Sequence, residues 1–122
     1  PEWLGEVREA LAEVAEPVPG GRTVEAMRQL SERYRCSMVF GVAEMENGLI
    51  YNTAAVVSRG RYIGKYRKIH LSDFEKKLFA SGTRNTVFQL DGLTIGVHIC
   101  FDLWFPEIGT VAGRCRTFLC PG

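Results

Sequence analysis

Cys100 closes the apolar, β-branched run LTIGVHI and is followed by FDLWFPE, in which Pro106 can open a helix. The tip of a strand, just before a turn into a helix, is where α/β enzymes present a nucleophile. The position equally suits a core cysteine, because free Cys is among the most buried residue types. A second chemically loaded stretch is KYRKIHL, which gathers Lys65, Arg67, Lys68 and His70 at the end of a strand. It reads either as a solvated basic edge or as a lysine beside a thiol. In the second case the ammonium lowers the thiol pKa and holds negative charge that develops on a substrate oxygen. His98 and Cys100 lie two apart on one strand and share a face, which raises a Cys–His dyad. Catalytic pairs of that kind usually come from distant parts of a chain, which argues against it. His70, His98 and Cys100 match no common metal-ligand spacing, and no paired CxxC is present, so no metal is expected.

The elements that must position these residues are legible from period and punctuation. From Trp3 to Ala15, Leu4, Val7, Leu11 and Val14 recur at steps of three and four, predicting an amphipathic helix. Glu2 suits its first turn, where a carboxylate faces the helix dipole. EPVPGG, Glu16 to Gly21, is a turn cluster. Thr23 is then expected to cap a second helix whose buried face carries Val24, Met27, Leu30 and Tyr34. SMVFGVAE, LIYNTAAVVS and RYIGKYR, separated by Glu46-Asn47-Gly48 and Arg59-Gly60, predict a three-stranded meander. TVFQL and LTIGVHI around Asp91-Gly92 predict a further hairpin. A short helix from Pro106 and a last strand at TFLC complete one α/β domain.

Composition bounds the partners. The chain has 122 residues, 46% of them apolar and 24% charged, so it can build a core. Fifteen Lys and Arg against fourteen Asp and Glu leave a net charge of +1, which removes the usual argument for a nucleic-acid or anionic-membrane partner. No stretch approaches a membrane span, and no signal peptide opens the sequence. Cys36, Cys100, Cys115 and Cys120 match no secreted disulfide framework, so reduced thiols in a cytoplasmic protein are the expectation.

The phrases EPVPGG, GVAEMENGLIYNTAAVV, GKYRKIHL, EKKLFASG and GVHICFDLWFPE, in this order and spacing, resemble the nitrilase superfamily of carbon–nitrogen hydrolases. The resemblance runs from Glu16 to Glu107, and its most specific part is KYRKIHL followed by a cysteine 32 residues past Lys68. It implies an α/β fold that is part of an αββα sandwich, with residues 1–122 forming a partial domain lacking N- and C-terminal portions. It also implies a Glu–Lys–Cys set in which Lys68 matches the lysine and Cys100 the nucleophile. Glu75 matches a second acidic residue that positions substrate or lysine. No metal or organic cofactor enters such chemistry; the partner is a small-molecule amide or N-carbamoyl compound, and the full domain would form a homo-oligomer.

The resemblance is incomplete at the first glutamate. The family carries it in a strand-end motif that resembles FPEL-x-x-TGY. Pro1-Glu2 offers the dipeptide without the TGY, leaving Glu2 or a residue upstream as the base. Trp104 stands where relatives often carry Arg, and reads as a pocket-lining or a core residue. Three functional readings follow: an amidase-type hydrolase, an ammonia-supplying glutaminase-type domain of a larger synthetase, and an inactive fragment that serves as an interaction surface.

Overall fold

The computed structural model of the chain describes residues 2–99 and the backbone of 116–120. Two helices come first, α1 (Trp3–Val14) and α2 (Arg22–Arg33), followed by β1 (Ser37–Glu46), β2 (Leu49–Ser58) and β3 (Arg61–Arg67). A 3-10 turn at Glu75–Lys77 precedes β4 (Val87–Leu90), β5 (Leu93–Ile99) and β6 (Arg116–Cys120).

Three dipeptides set the strand register. Asn47-Gly48, Arg59-Gly60 and Asp91-Gly92 each hold both residues at positive φ. That is the two-residue type I′ geometry, whose twist matches the strands it joins. The first two fold β1, β2 and β3 into an antiparallel sheet in that order, and the third folds β4 onto β5. β6 then adds to β5 in parallel, making a second three-stranded sheet.

β2 is the central strand of the first sheet, and its residues Thr53–Val57 are all buried. Ala54 and Val56 point into a core shared with Tyr66 and with Phe88, Leu90, Ile95, Val97 and Ile99 of the second sheet. Ala55 and Val57, on the opposite face, pack with Val18 and with Val24 of α2. The layers are therefore helix, sheet and sheet. Close contact between the sheets depends on Gly64 of β3, where an added Cβ would lie 2.6 Å from the Phe88 ring.

The start of α2 differs from the expectation. Its N-cap is Gly21, and Thr23 lies inside the helix. Glu16 satisfies the helix start from outside, accepting hydrogen bonds from the Thr23 N–H at 2.7 Å and the Thr23 hydroxyl at 2.9 Å. A buried carboxylate anchored on β1 through Ala43 and Met45 can reach that N–H and suits the positive helix end. Of the four residues expected on the buried face, Val24 is buried, whereas Leu30 and Tyr34 are exposed. α1 has no buried residue; Trp3 stacks against Phe74, and Arg8 donates to the Lys77 carbonyl.

Candidate active site

Alternation along β3 sorts the basic cluster. Lys65 and Arg67 lie on the face of Thr53 and Ala55, opposite Tyr66, which points into the core between the sheets. Both cations meet Glu44, a β1 residue whose side chain is 1% exposed. Glu44 accepts from the Thr53 hydroxyl at 2.8 Å, from Arg67 Nε at 2.8 Å and Nη2 at 3.0 Å, and from Lys65 Nζ. Burial alone would raise its carboxyl pKa, but Arg67, Lys65 and Thr53 together hold it below the ordinary range. Arg67 also stacks over the Tyr51 ring, 3.9 Å from its centroid.

Lys68, the next residue, is only 2% exposed. Its Nζ lies 2.9 Å from both carboxylate oxygens of Glu75. The reading of KYRKIHL as a solvated edge therefore does not hold: a lysine is almost never fully buried unless paired, and this one is paired. The main chain around it is fixed on both sides. Lys68 N–H donates to the Asn52 carbonyl at 2.8 Å, and its carbonyl accepts from Gly82 N–H at 2.8 Å. The segment between them closes on β2 where Ala80 N–H donates to Ile50 at 2.7 Å.

Glu75 is placed by the turn it begins. Ser72 N–H donates to Glu75 Oε1 at 3.2 Å, and Glu75 N–H donates to the Ser72 hydroxyl at 3.3 Å. This is the reciprocal capping box that S-x-x-E encodes. The SDFE string, Ser72 to Glu75, carries the signal for it in the sequence. Partial burial raises the Glu75 carboxyl pKa, but Lys68 and Ser72 outweigh it and hold it below the ordinary range.

Cys100, Phe101 and Trp104 lie outside the described residues, as does the helix expected from Pro106. β5 ends one residue before Cys100, and His98 near that end meets the Tyr66 ring edge-on at 6.3 Å. Tyr66 is two residues before Lys68, so β3 and β5 run out at the same end of the sandwich. Glu2 is exposed at the start of α1, and the carboxylate bonded to Lys68 is that of Glu75. Among the described residues no group of three His, Cys, Asp or Glu side chains could hold a metal. A cleft of about 740 Å³ along β3 and residues 83–88 is lined by Lys65, Arg67 and Arg84 but not by Lys68 or Glu75.

The family model for carbon–nitrogen hydrolases matches residues 3–116. The chain belongs to the carbon–nitrogen hydrolase family. Members of this superfamily hydrolyse C–N bonds of nitriles, amides and carbamoyl compounds through a cysteine. A nitrilase of Pyrococcus abyssi is 41% identical over 103 residues, which cover 84% of this chain and 39% of that protein. An (R)-stereoselective amidase of a Pseudomonas species is 35% identical over 97 residues, covering 80% of this chain and 35% of the relative. The chain thus spans less than half the length of these relatives. Saccharomyces cerevisiae Nit3, a nitrilase-superfamily structure, superposes with a TM-score of 0.83 at 22% identity, over 93% of this chain and 45% of its own. The helix, sheet and sheet layers of this carbon–nitrogen hydrolase chain are accordingly part of the αββα sandwich of the nitrilase type. No helix among the described residues is long and apolar enough to cross a membrane.

Proposed function

We propose that this chain carries the lysine, the second glutamate and the nucleophilic cysteine of an amidase-type hydrolase that cleaves amides or N-carbamoyl compounds and releases ammonia. The observation that carries the reading is the buried Lys68–Glu75 pair, set at the end of the sandwich where β5 leads into Cys100. An ammonium has three donors, and Glu75 can engage two of them, so among the described residues one is left for an oxygen that becomes charged. The Cys100 thiolate attacks the carbonyl carbon; the negative charge that develops on oxygen is met by Lys68 and by the backbone N–H of Phe101. Collapse of that intermediate expels ammonia, and water then cleaves the thioester to free acid and thiol. Glu75 is a weak proton acceptor because its charged form is favoured, so its part is to hold Lys68. The proton shuttle is a separate carboxylate, for which Glu2 is the candidate within this chain.

The test is ammonia release from a panel of aliphatic amides, N-carbamoyl amino acids and nitriles, together with mass-spectrometric detection of the acyl-cysteine. Cys100→Ala and Lys68→Met are expected to abolish turnover, whereas Cys36→Ala leaves it intact. Equal loss in the Cys36 and Cys100 variants would sink the nucleophile assignment. Wild-type turnover in Glu2→Gln would exclude Glu2 as the base.

A further inference from the structure

We propose that Ser72 is a positioning residue for this reaction: its hydroxyl and backbone N–H lock the Glu75 carboxylate in the orientation in which both oxygens meet Lys68. The inference rests on the catalytic reading of Lys68 and Glu75 given above. Lys68 alone cannot set that orientation, because an ammonium is a compact point charge on a flexible stem and imposes no plane on its partner. A directional constraint has to come from elsewhere, and the structure supplies one. Glu75 Oε1 accepts from Lys68 Nζ at 2.9 Å and from Ser72 N–H at 3.2 Å, whereas Oε2 accepts from Lys68 alone among the described residues. The Ser72 hydroxyl accepts the Glu75 N–H at 3.3 Å, and the Ser72 carbonyl accepts the Lys76 N–H at 3.0 Å. Ser72 thus meets both the carboxylate and the main chain of the turn that carries it. Both Ser72–Glu75 bonds are long for N–H···O, so their contribution is orientation more than binding strength.

The charged groups around Glu75 leave Ser72 a distinct part. Lys68 reaches it from the end of β3. On its own turn, Asp73, Lys76 and Lys77 are exposed to solvent, with Lys76 turned toward Asp73 at 3.9 Å. From α1, Arg8 contacts the Lys77 carbonyl, not the carboxylate. Among the described residues Ser72 is therefore the neutral group that, with Lys68, favours the ionised carboxylate.

The test is the pH titration of the Glu75 carboxyl carbon by NMR, in this chain, for wild type, Ser72→Ala, Ser72→Thr and Lys68→Met. Ser72→Ala deletes the hydroxyl that accepts the Glu75 N–H, loosens the turn and with it the remaining bond from the Ser72 N–H to the carboxylate, and should raise the titration midpoint by about one pH unit, a tenfold tighter proton. Thr keeps a capping hydroxyl and should restore the wild-type midpoint. On the amide identified by the substrate panel, Ser72→Ala should lower kcat about tenfold with KM unchanged. Its acid limb should move upward with the midpoint, which loss of fold would not produce. A Ser72→Ala midpoint equal to wild type, with Lys68→Met moving it upward, would overturn the role of Ser72 and leave the ion pair standing. If Lys68→Met leaves the midpoint unmoved as well, the ion pair itself is refuted and the Ser72 role falls with it.

Discussion

Lys68 and Glu75 form one ion pair at two depths: the lysine side chain is 2% exposed and the glutamate side chain 18%. The asymmetry decides what each substitution costs. Glu75→Gln leaves an ammonium buried without its counter-charge, a situation that destabilises by roughly 3 kcal/mol or more. Lys68→Met leaves a carboxylate that keeps the Ser72 N–H and can reach water, so the loss is smaller, about 1 kcal/mol. Urea unfolding of the two variants should rank them in that order. The reverse ranking would mean that Lys68 reaches solvent once Glu75 is gone.

Glu44 makes the same argument in acid. The carboxyls of Glu44 and Glu75 are both held below their ordinary value of 4.5, so each binds its proton less readily in the folded chain than in the unfolded one. Their contribution to stability is complete above about pH 4.5–5 and is lost as pH falls through the lower folded values. Glu44→Gln should cost about 2 kcal/mol at pH 7. That is less than the ~3–5 kcal/mol of a fully buried pair, because the side chains of Lys65 and Arg67 are 26% and 22% exposed and can turn toward water. The gap between variant and wild type should narrow as pH drops below 4.5, measured by denaturant unfolding at each pH. A gap independent of pH would mean that Glu44 acts by packing alone.

What the sequence makes legible follows the range of each interaction. The bounds of β2, β3 and β5 can be read directly because Asn47-Gly48, Arg59-Gly60 and Asp91-Gly92 fix them within two residues. The environment of KYRKIHL is not legible from its own residues. Lys65 and Arg67 are neutralised by Glu44, and Arg67 also by Glu46, two acids of β1 that local patterning cannot pair with them. The capping expected of Thr23 fails for a similar reason, since the group at the helix start comes from the preceding turn. Glu75 enters the reading through family resemblance, yet the capping box that orients it was local and readable as S-x-x-E.

Glu16 yields a sharper form of that correction. With its carboxylate removed in Glu16→Ala, the Thr23 N–H loses the acceptor at 2.7 Å and its hydroxyl loses the one at 2.9 Å. The expected destabilisation is about 1–2 kcal/mol, the usual worth of a helix N-cap. Faster amide hydrogen exchange should be confined to the first turn of α2. An unchanged exchange rate at Thr23 would show that water replaces the carboxylate without loss.

Two glycine-to-alanine substitutions should move stability in opposite directions. At Gly82 an added Cβ would lie 2.2 Å from the Arg67 carbonyl oxygen, a backbone atom that cannot swing aside. Relief requires the Gly82 main chain to retreat, which breaks its hydrogen bond to Lys68 and loosens the clamp behind the ammonium. Gly82→Ala should therefore cost about 2–3 kcal/mol, at the upper end of overpacking effects, and should lower turnover together with stability. Gly5, inside α1, has nothing within 4 Å of the position its Cβ would take. There the substitution removes only the conformational freedom of glycine in a helix and should stabilise by about 0.5–1 kcal/mol. Thermal unfolding of both variants in parallel separates the effects. A Gly82→Ala protein as stable as wild type would mean that the contact between residues 67 and 82 is not close enough to hold Lys68 in place.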